Sequence, residues 1–464
     1  MKVFVAGGTG VIGWRAVRGL VEAGHIVTVI ARSPEKAELV RSLGATPVRV
    51  SLFDPEGLVA AMRGHDAVVN LATSIPPLRE AIRPSSWQEN NRIRSEGAAN
   101  LADAAIATGA TRFVQESITF TYPDRGDEWI DAESVAVEPT PPIRAVLDAE
   151  AAAQRFTEAG GTGVVLRFAA FYAPEASHTR DTFAAARAGV GGMMGAATAY
   201  QSSIHADDAA SAAVAALGAP AGIYDIADDE PVTKAAYADA AGAAVGRRRL
   251  LHLPGRAGRV GGSSNAALMR SQRISNRRFK DATGWAPAYR SVRDGFPAVA
   301  AEMDPPRPLL ERLVRPVLVV LVLVHAQLGL WASIAPRSFY DDFPQGARRW
   351  VAVDGPFNEH LVRDFGSLNL ALTVVLVGAL LRPSRWLVRV AALAYLVNAV
   401  PHLLYHATHL DVYGSSDKVL NVVSLGMAVA GGAVLVLGSQ TMDRPAEPHP
   451  SSRAAIRPAE PPTA

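Results

Sequence analysis

Cysteine is absent from this chain of 464 residues. That excludes a disulfide framework, thiolate ligation of zinc or iron–sulfur clusters, and a cysteine nucleophile. Lysine is scarce: Lys2, Lys36, Lys234, Lys280 and Lys418 are the whole set, and arginine carries the remaining basic charge. No lysine lies between Lys36 and Lys234, so chemistry that needs an ammonium in that stretch is excluded. Excess charge of one sign is also missing. With 46 Lys and Arg against 44 Asp and Glu, the net charge is +2, which argues against nucleic acid as a partner. No charged and apolar leader precedes the first strand-like run, Lys2-Val3-Phe4-Val5-Ala6, so no secretory signal is expected. No internal repeat is evident.

What is present in excess is apolar residues, at 49% with only 19% charged, and the surplus lies after Pro316. The length implies two or three domains. Residues 1–300 alternate unbroken apolar runs (2–6, 26–30, 47–50, 67–71, 112–116, 163–167, 222–226) with Ala-rich helical patterns (11–23, 34–42, 55–63, 91–109, 147–159, 206–217). This alternation predicts an α/β domain, a doubly wound parallel sheet of Rossmann type with helices on both faces. Residues 301–316, with Asp304-Pro305-Pro306-Arg307-Pro308, read as a linker. Four apolar segments follow, at about 317–335, 365–381, 386–406 and 419–438, each near the roughly 20 residues that span a bilayer. They predict an all-α four-helix transmembrane bundle over 317–438, with membrane lipid as a partner. The Pro-, Ala- and Ser-rich tail at 439–464 has the composition of a disordered segment.

The first apolar run leads directly into Gly7-Gly8-Thr9-Gly10-Val11-Ile12-Gly13 and then a helical pattern. Glycines at this spacing make a tight turn, admit a pyrophosphate close to the backbone and let helix pack on strand, with the helix N-terminus facing the phosphates. The second run ends in Ala31-Arg32-Ser33. An NAD site usually carries an acid there for the ribose hydroxyls; Arg32 instead offers a guanidinium suited to a 2′-phosphate. NADP is therefore favoured over NAD as the cofactor.

Residues 1–300 resemble the extended and atypical short-chain dehydrogenase/reductases, the NAD(P)H-binding epimerase/dehydratase family. Gly7, Gly10 and Gly13 match its nucleotide turn. Asp66-Ala67-Val68-Val69-Asn70-Leu71-Ala72 resembles the strand running past the cofactor ribose, which adds Ala72 to the expected cofactor contacts. Arg167-Phe168 with Phe171-Tyr172-Ala173-Pro174, Ile204-His205-Ala206-Asp207-Asp208 and Thr283-Gly284-Trp285-Ala286-Pro287 match further elements in family order.

The resemblance fails at the catalytic machinery. The family's Tyr-x-x-x-Lys pair falls on Ile143 and Leu147 within Pro139–Leu147, and no other register restores it. The Ser/Thr position falls on Ile118, between Ser117 and Thr119, and Arg94 stands where the family carries Asn. An aliphatic side chain cannot transfer a proton, so the standard mechanism is absent. Tyr122, Ser117 and Thr119 are the remaining catalytic candidates, and Arg144 could serve Tyr122 as an electrostatic partner.

In the third apolar segment Asn398, His402, His406 and His409 share one helix face. Polar groups at membrane depth are costly and normally face a bundle interior or cavity. Two readings stay open: a metal or haem site built on His402, His406 and His409, or interhelical hydrogen bonding with His325, Gln327, Asn369 and Asn421. The segment is similar to small four-helix membrane proteins, some of them fused to reductase-like domains.

Three functions are compatible with these features. One is a membrane-anchored NADP-binding protein of non-standard or regulatory kind. Another is an oxidoreductase or epimerase acting on a membrane-associated lipid or isoprenoid. The third is a redox or transport protein using the histidine face. Arg312 and Arg315 before the first span, Arg382, Arg385 and Arg389 at the second connection, and Arg444 and Arg453 in the tail place the N-terminal domain and the tail in the cytoplasm, although the first connection also carries Arg337, Arg348, Arg349 and Arg363. Reporter fusions at the N-terminus and after residue 440 are expected to report the same, cytoplasmic, side; opposite sides would mean that one of the four segments does not cross.

Overall fold

The computed structural model describes residues 1–76, 80, 83–192, 194–252, 266–303, 308–344 and 348–442. Residues 304–307 of the expected linker and the tail from 443, with Arg444 and Arg453, lie outside the described residues. The chain divides into two compact units after Asp304.

The first unit is built on a seven-stranded parallel sheet of β1 (Lys2–Ala6), β2 (Ile26–Ile30), β3 (Thr46–Val48), β4 (Ala67–Asn70), β5 (Arg112–Ile118), β6 (Thr162–Phe168) and β7 (Gly222–Ile226), in the order β7-β6-β5-β4-β1-β2-β3. The order reverses beside β1. In open parallel sheets ligands bind at such a switch point, beyond the carboxyl ends of the strands. All seven strands coincide with the apolar runs of the sequence. The runs are unbroken because both faces of the sheet are covered: on β1, Val3 and Val5 enter one core and Phe4 and Ala6 the other. The first core packs against α1 (Gly13–Glu22) and α6 (Ala206–Ala215); the second packs against α3 (Pro55–Met62), α4 (Ala98–Ala107) and α5 (Val146–Glu158). Local signals start the short helices. Ser33 caps α2 (Pro34–Ser42) by accepting from the Lys36 amide, and Asp54 caps α3 by accepting from the Gly57 amide, each with proline at the first helical position.

The second unit holds α7 (Leu309–Ile334), α8 (Glu359–Leu381), α9 (Arg385–Thr408) and α10 (Ser415–Thr441). By length and hydropathy all four are candidate membrane-spanning helices. α7 begins eight residues before the expected 317, because Leu310, Leu313 and Val314 continue its helical pattern ahead of Pro316. Likewise α8 begins at Glu359, where Asn358 caps it by accepting from the Leu361 amide. α7 packs on α8 and α10, and α9 packs on α10 and α8. At the α7–α8 crossing a Cβ on either Gly329 or Gly366 would come within 3.0 Å of the other's carbonyl oxygen, the close approach that small residues permit between apolar helices. Large apolar side chains such as Leu323, Leu368, Val397 and Val419 point outward on all four helices.

Of the polar residues expected to meet in this unit, His325 and Asn369 do, at 2.7 Å between Nδ1 and Oδ1, with the Tyr395 ring edge-on to His325. Gln327 and Asn398 are exposed. Asn421 is buried, and its Oδ1 has no partner among the described residues.

Candidate dinucleotide site

The glycine turn joins β1 to α1 at the switch point, and each glycine there meets a different constraint. Gly7 has φ +78°, and a Cβ on it would fall on the backbone of Leu71 and Ala72 at the end of β4. Only glycine lets the two strand ends approach this closely. A Cβ on Gly8 would enter the side chains of Val29 and Val17, and one on Gly13 would strike the Gly7 carbonyl. Gly10 differs: it is exposed, and a Cβ on it would meet only the Gly7 carbonyl oxygen, at 3.4 Å. Thr9 and Val11 are half-buried and Ile12 is buried. No side chain caps α1, and its first turn holds no acid, which leaves the positive end of the helix available to an anion. Ala72 donates its amide to Asn70 Oδ1 at 3.1 Å, and Asn70 donates in turn to Gln115 on β5. These residues form a turn that is open on the Gly10 side, where a Cβ would meet nothing but the Gly7 carbonyl oxygen.

α1 is anchored from behind. Arg15 is buried and pairs with Asp207 at 2.6 Å and with Glu175. His205 caps α6, its Nδ1 accepting from the Asp207 amide, and Asp208 accepts from the Ala288 and Tyr289 amides. Burial pulls His205 down to about 4 and pushes Asp208 up to about 7. The Tyr172 hydroxyl donates to Asp228 at 3.2 Å. These family-like elements brace the turn.

Arg32 is exposed and lines a cleft of about 340 Å³ with Ser33, Arg41, Pro47, Val48 and Arg49. Arg41 is shared with Glu38, at 3.2 Å. The sequence marks Arg32 alone. Arg49 joins it because β3 lies beside β2, and no local signal marks that residue.

On the other side of β4, Ile118, Ile143, Val146 and Ala267 form a buried apolar cluster with Trp87 and Phe120 packed against it. The positions of the expected acid and its hydroxyl neighbour are thus joined in an aliphatic wall, with Leu147 half-buried beside it and Arg144 exposed. Beside it runs a buried polar ladder, in which Arg94 Nε and Nη1 have no hydrogen-bond partner among the described residues. Arg94 pairs with Glu116 at 2.9 Å. Arg167 makes a two-pronged pair with Glu150, at 2.8 and 2.7 Å. Ser117 donates to Glu150 at 2.5 Å. Arg167 also donates to the Tyr122 oxygen at 2.8 Å, and the Tyr122 hydroxyl donates to Asp225 at 2.9 Å. Tyr122 and Ser117 are fully buried and Thr119 nearly so. Burial and then the Asp225 charge push the Tyr122 phenol far above its usual range, and burial pushes Asp225 up to about 7.

Of the histidine face, His402 and His406 lie together, with ring centroids 4.8 Å apart, and His406 Nδ1 stands 3.3 Å from the Tyr413 hydroxyl. His409 stacks on Tyr405 instead. Among the described residues no group of three His, Cys, Asp or Glu side chains is placed to hold a metal ion.

A seven-stranded doubly wound sheet with a glycine cradle at its switch point defines a dinucleotide-binding domain, and similarity to known proteins gives the family. Residues 7–220 match the family model described as NAD(P)H-binding. A 3-diazoavenalumate denitrifying reductase from a Streptomyces species is 32% identical over 308 residues, 64% of this chain and 99% of that protein. The photosystem II assembly factor Ycf39 of a Synechocystis species is 36% identical over 118 residues, 25% of this chain but only 34% of that protein. Among solved structures, a human epimerase family protein, SDR39U1 with NADPH, superposes with a TM-score of 0.54 at 24% identity, over 65% of this chain and 99% of that one. MoeE5 with UDP-glucuronic acid and NAD superposes at 0.53 and 22%, over 64% and 97%; these two likenesses concern the fold. The chain belongs to the NAD(P)H-binding, epimerase/dehydratase-like short-chain dehydrogenase/reductase family.

Replacing Gly10 by Val should abolish dinucleotide binding in a calorimetric titration while leaving the melting temperature of the protein nearly unchanged, because the added side chain fills the cradle and little else. The buried acid gives a second expectation. Asp225 has a folded-state value near 7 against about 3.9 in an unfolded chain, so the folded state holds the extra proton. Its contribution is fully present below about pH 4 and is lost as pH rises through 7. Thermal melts of wild type and Asp225→Asn across pH 4–8 should show a smaller decline with rising pH for the variant; parallel curves would refute a protonated Asp225.

Proposed function

We propose that this chain is a membrane-anchored, NADP(H)-dependent reductase whose substrate takes hydride without a proton from a tyrosine. The observation that carries the proposal is the buried apolar cluster of Ile118, Ile143, Val146 and Ala267, which fills the positions that the family resemblance gives to the usual acid. The dinucleotide, when bound, supplies the hydride chemistry itself. Gly7, Gly8, Thr9, Gly10, Val11, Ile12 and Gly13 would hold its pyrophosphate at the α1 N-terminus, with Ala72 at the ribose. Arg32, Arg49 and Ser33 would hold a 2′-phosphate in their cleft, which favours NADP over NAD. The aliphatic wall excludes water, so that the protein contributes orientation and a dry surface and no acid. Tyr122, Ser117 and Thr119 serve the fold on this reading, because their polar groups are buried and the Tyr122 and Ser117 hydroxyls are already spent.

A substrate suited to such a site is an electrophile reduced without general acid catalysis. An arenediazonium is one, since it accepts hydride and releases dinitrogen with no proton required. That chemistry is consistent with the Streptomyces relative, named a denitrifying reductase and matched over almost its whole length. The four apolar helices would hold the domain at the cytoplasmic face of a membrane. Likeness to Ycf39, named an assembly factor, supports a second reading in which dinucleotide binding regulates a membrane partner; that likeness is confined to about a quarter of this chain.

The test is NADPH oxidation by the full-length protein in detergent or nanodiscs. The expected result is turnover with an arenediazonium and none with sugar-nucleotide, steroid or isoprenoid ketones, nor NADP⁺ reduction by the corresponding alcohols. Tight NADPH binding without turnover of any electrophile would favour the regulatory reading. Arg32→Glu should weaken NADPH binding about tenfold or more while sparing NADH; equal losses for both would refute the 2′-phosphate cleft.

A further inference from the structure

Arg15 makes more contacts than bracing a helix requires. Its side chain is 4% exposed, and its guanidinium serves a backbone carbonyl and two carboxylates at once. Nε donates to Asp207 at 2.6 Å, Nη1 to the Val11 carbonyl oxygen at 2.8 Å and to Glu175, and Nη2 to Glu175 at 3.2 Å. The two carboxylates differ in their surroundings. Asp207 sits in the first turn of α6 and is 21% exposed. Glu175 is 38% exposed and lies in the connection between the strand Ala170–Tyr172 and the helix Ser177–Arg187, where Trp14 Nε1 also donates to it at 3.3 Å. Asp207 alone compensates the Arg15 charge, so Glu175 can let go without stranding a buried cation, and its own carboxylate already meets solvent. Release of Glu175 thereby avoids the large penalty of leaving one member of a buried pair uncompensated.

The connection that Glu175 belongs to borders the glycine turn. Ala173 and Ala176 are buried with Ala206, and Val11 of the turn packs against them. Its ends are fixed independently of α1: Tyr172 pairs in register with His205 and donates to Asp228, and the Ala173 amide donates to Thr179 Oγ1 at 3.3 Å. The Arg15–Glu175 pair ties its middle to α1. The connection also lies on the side of α1 away from Arg32. α1 packs on α6, which leads into β7 at one edge of the sheet, whereas Arg32 follows β2 near the other edge. A dinucleotide with its 2′-phosphate at Arg32 and its pyrophosphate at the α1 N-terminus therefore has its nicotinamide half on the side of residues 173–176.

We propose that Arg15 is a positioning residue for the nicotinamide half of the cofactor, acting through Glu175 to hold residues 173–176 against the glycine turn. Asp207 and the Val11 carbonyl keep the guanidinium in place, and Glu175 is the arm that engages and releases the connection. The inference rests on reading the turn as a dinucleotide site with the 2′-phosphate at Arg32.

The experiment is calorimetric titration of the full-length protein with NADPH and with 2′,5′-ADP, which has the 2′-phosphate and lacks the nicotinamide half. Wild type should bind NADPH more tightly than 2′,5′-ADP. Glu175→Ala should weaken NADPH roughly tenfold, the worth of one charge-assisted hydrogen bond, and leave 2′,5′-ADP affinity and the melting temperature unchanged. Glu175→Gln, whose amide oxygen still accepts from Arg15, should recover part of that loss. Arg15→Lys should match Glu175→Ala, because an ammonium lacks the planar fork that reaches both Glu175 oxygens. Equal losses for both ligands in Glu175→Ala overturn the proposal by assigning the pair to the fold, and an unchanged NADPH affinity overturns it outright. The two readings fail separately. Wild type that binds 2′,5′-ADP but holds NADPH no more tightly keeps the 2′-phosphate cleft and removes the role of Arg15. Wild type with no preference for the phosphorylated ligands removes that cleft, and the Arg15 proposal then stands or falls on the same comparison made with NADH and ADP.

Discussion

The two-pronged ion pair of Arg167 and Glu150 is the interaction on which the site depends. It joins β6 to α5, and through Ser117 and Tyr122 it reaches β5 and its exit. Asp225 completes the connection to β7. Two buried charges are tolerated here because almost every polar atom around them is occupied. Breaking one partner of such a pair typically costs about 3–5 kcal/mol, since the other charge is left uncompensated. The ladder runs beside the aliphatic cluster. It also removes Tyr122 and Ser117 from the pool of free hydroxyls, because both are committed as donors to carboxylates.

A division of labour follows. The half of the first unit around β1, β2 and β4 carries a glycine turn under backbone contact, an uncapped helix end and an arginine-lined cleft. The half around β5, β6 and α5 joins Ile118, Ile143 and Val146 in a buried aliphatic cluster beside a layer of buried ion pairs. Binding and acid catalysis are separable because they draw on different physical resources. The first needs backbone geometry and a helix dipole. The second needs one ionisable side chain in one place, and a single strand-to-helix segment decides whether it is there.

In the second unit the same economy appears in apolar surroundings. The four helices place large apolar side chains outward and close on each other through glycines at the α7–α8 crossing. His325 and Asn369 are buried between helices and hydrogen-bond each other. In hydrocarbon a polar side chain must find a protein partner or line a cavity, and this pair accounts for two of the polar residues that interrupt the apolar runs.

Much of the architecture was legible in the residues themselves. The seven strands are short apolar runs with both faces buried. The glycine spacing marks the turn after β1. Four apolar stretches mark α7 to α10. These are local properties: side-chain periodicity, backbone freedom at glycine and the length of an apolar run act over a few residues and need no knowledge of the fold. Helix starts were less legible, since α7 and α8 extend through charged first turns that hydropathy alone discounts. What only tertiary structure decided is which distant groups meet. Arg15 finds Glu175 and Asp207, Arg94 finds Glu116, and Arg49 joins Arg32. No local rule links residues so far apart along the chain, because their encounter is set by the order of strands in the sheet. Burial, which turns an ordinary tyrosine into a structural donor, exists only once that order is in place.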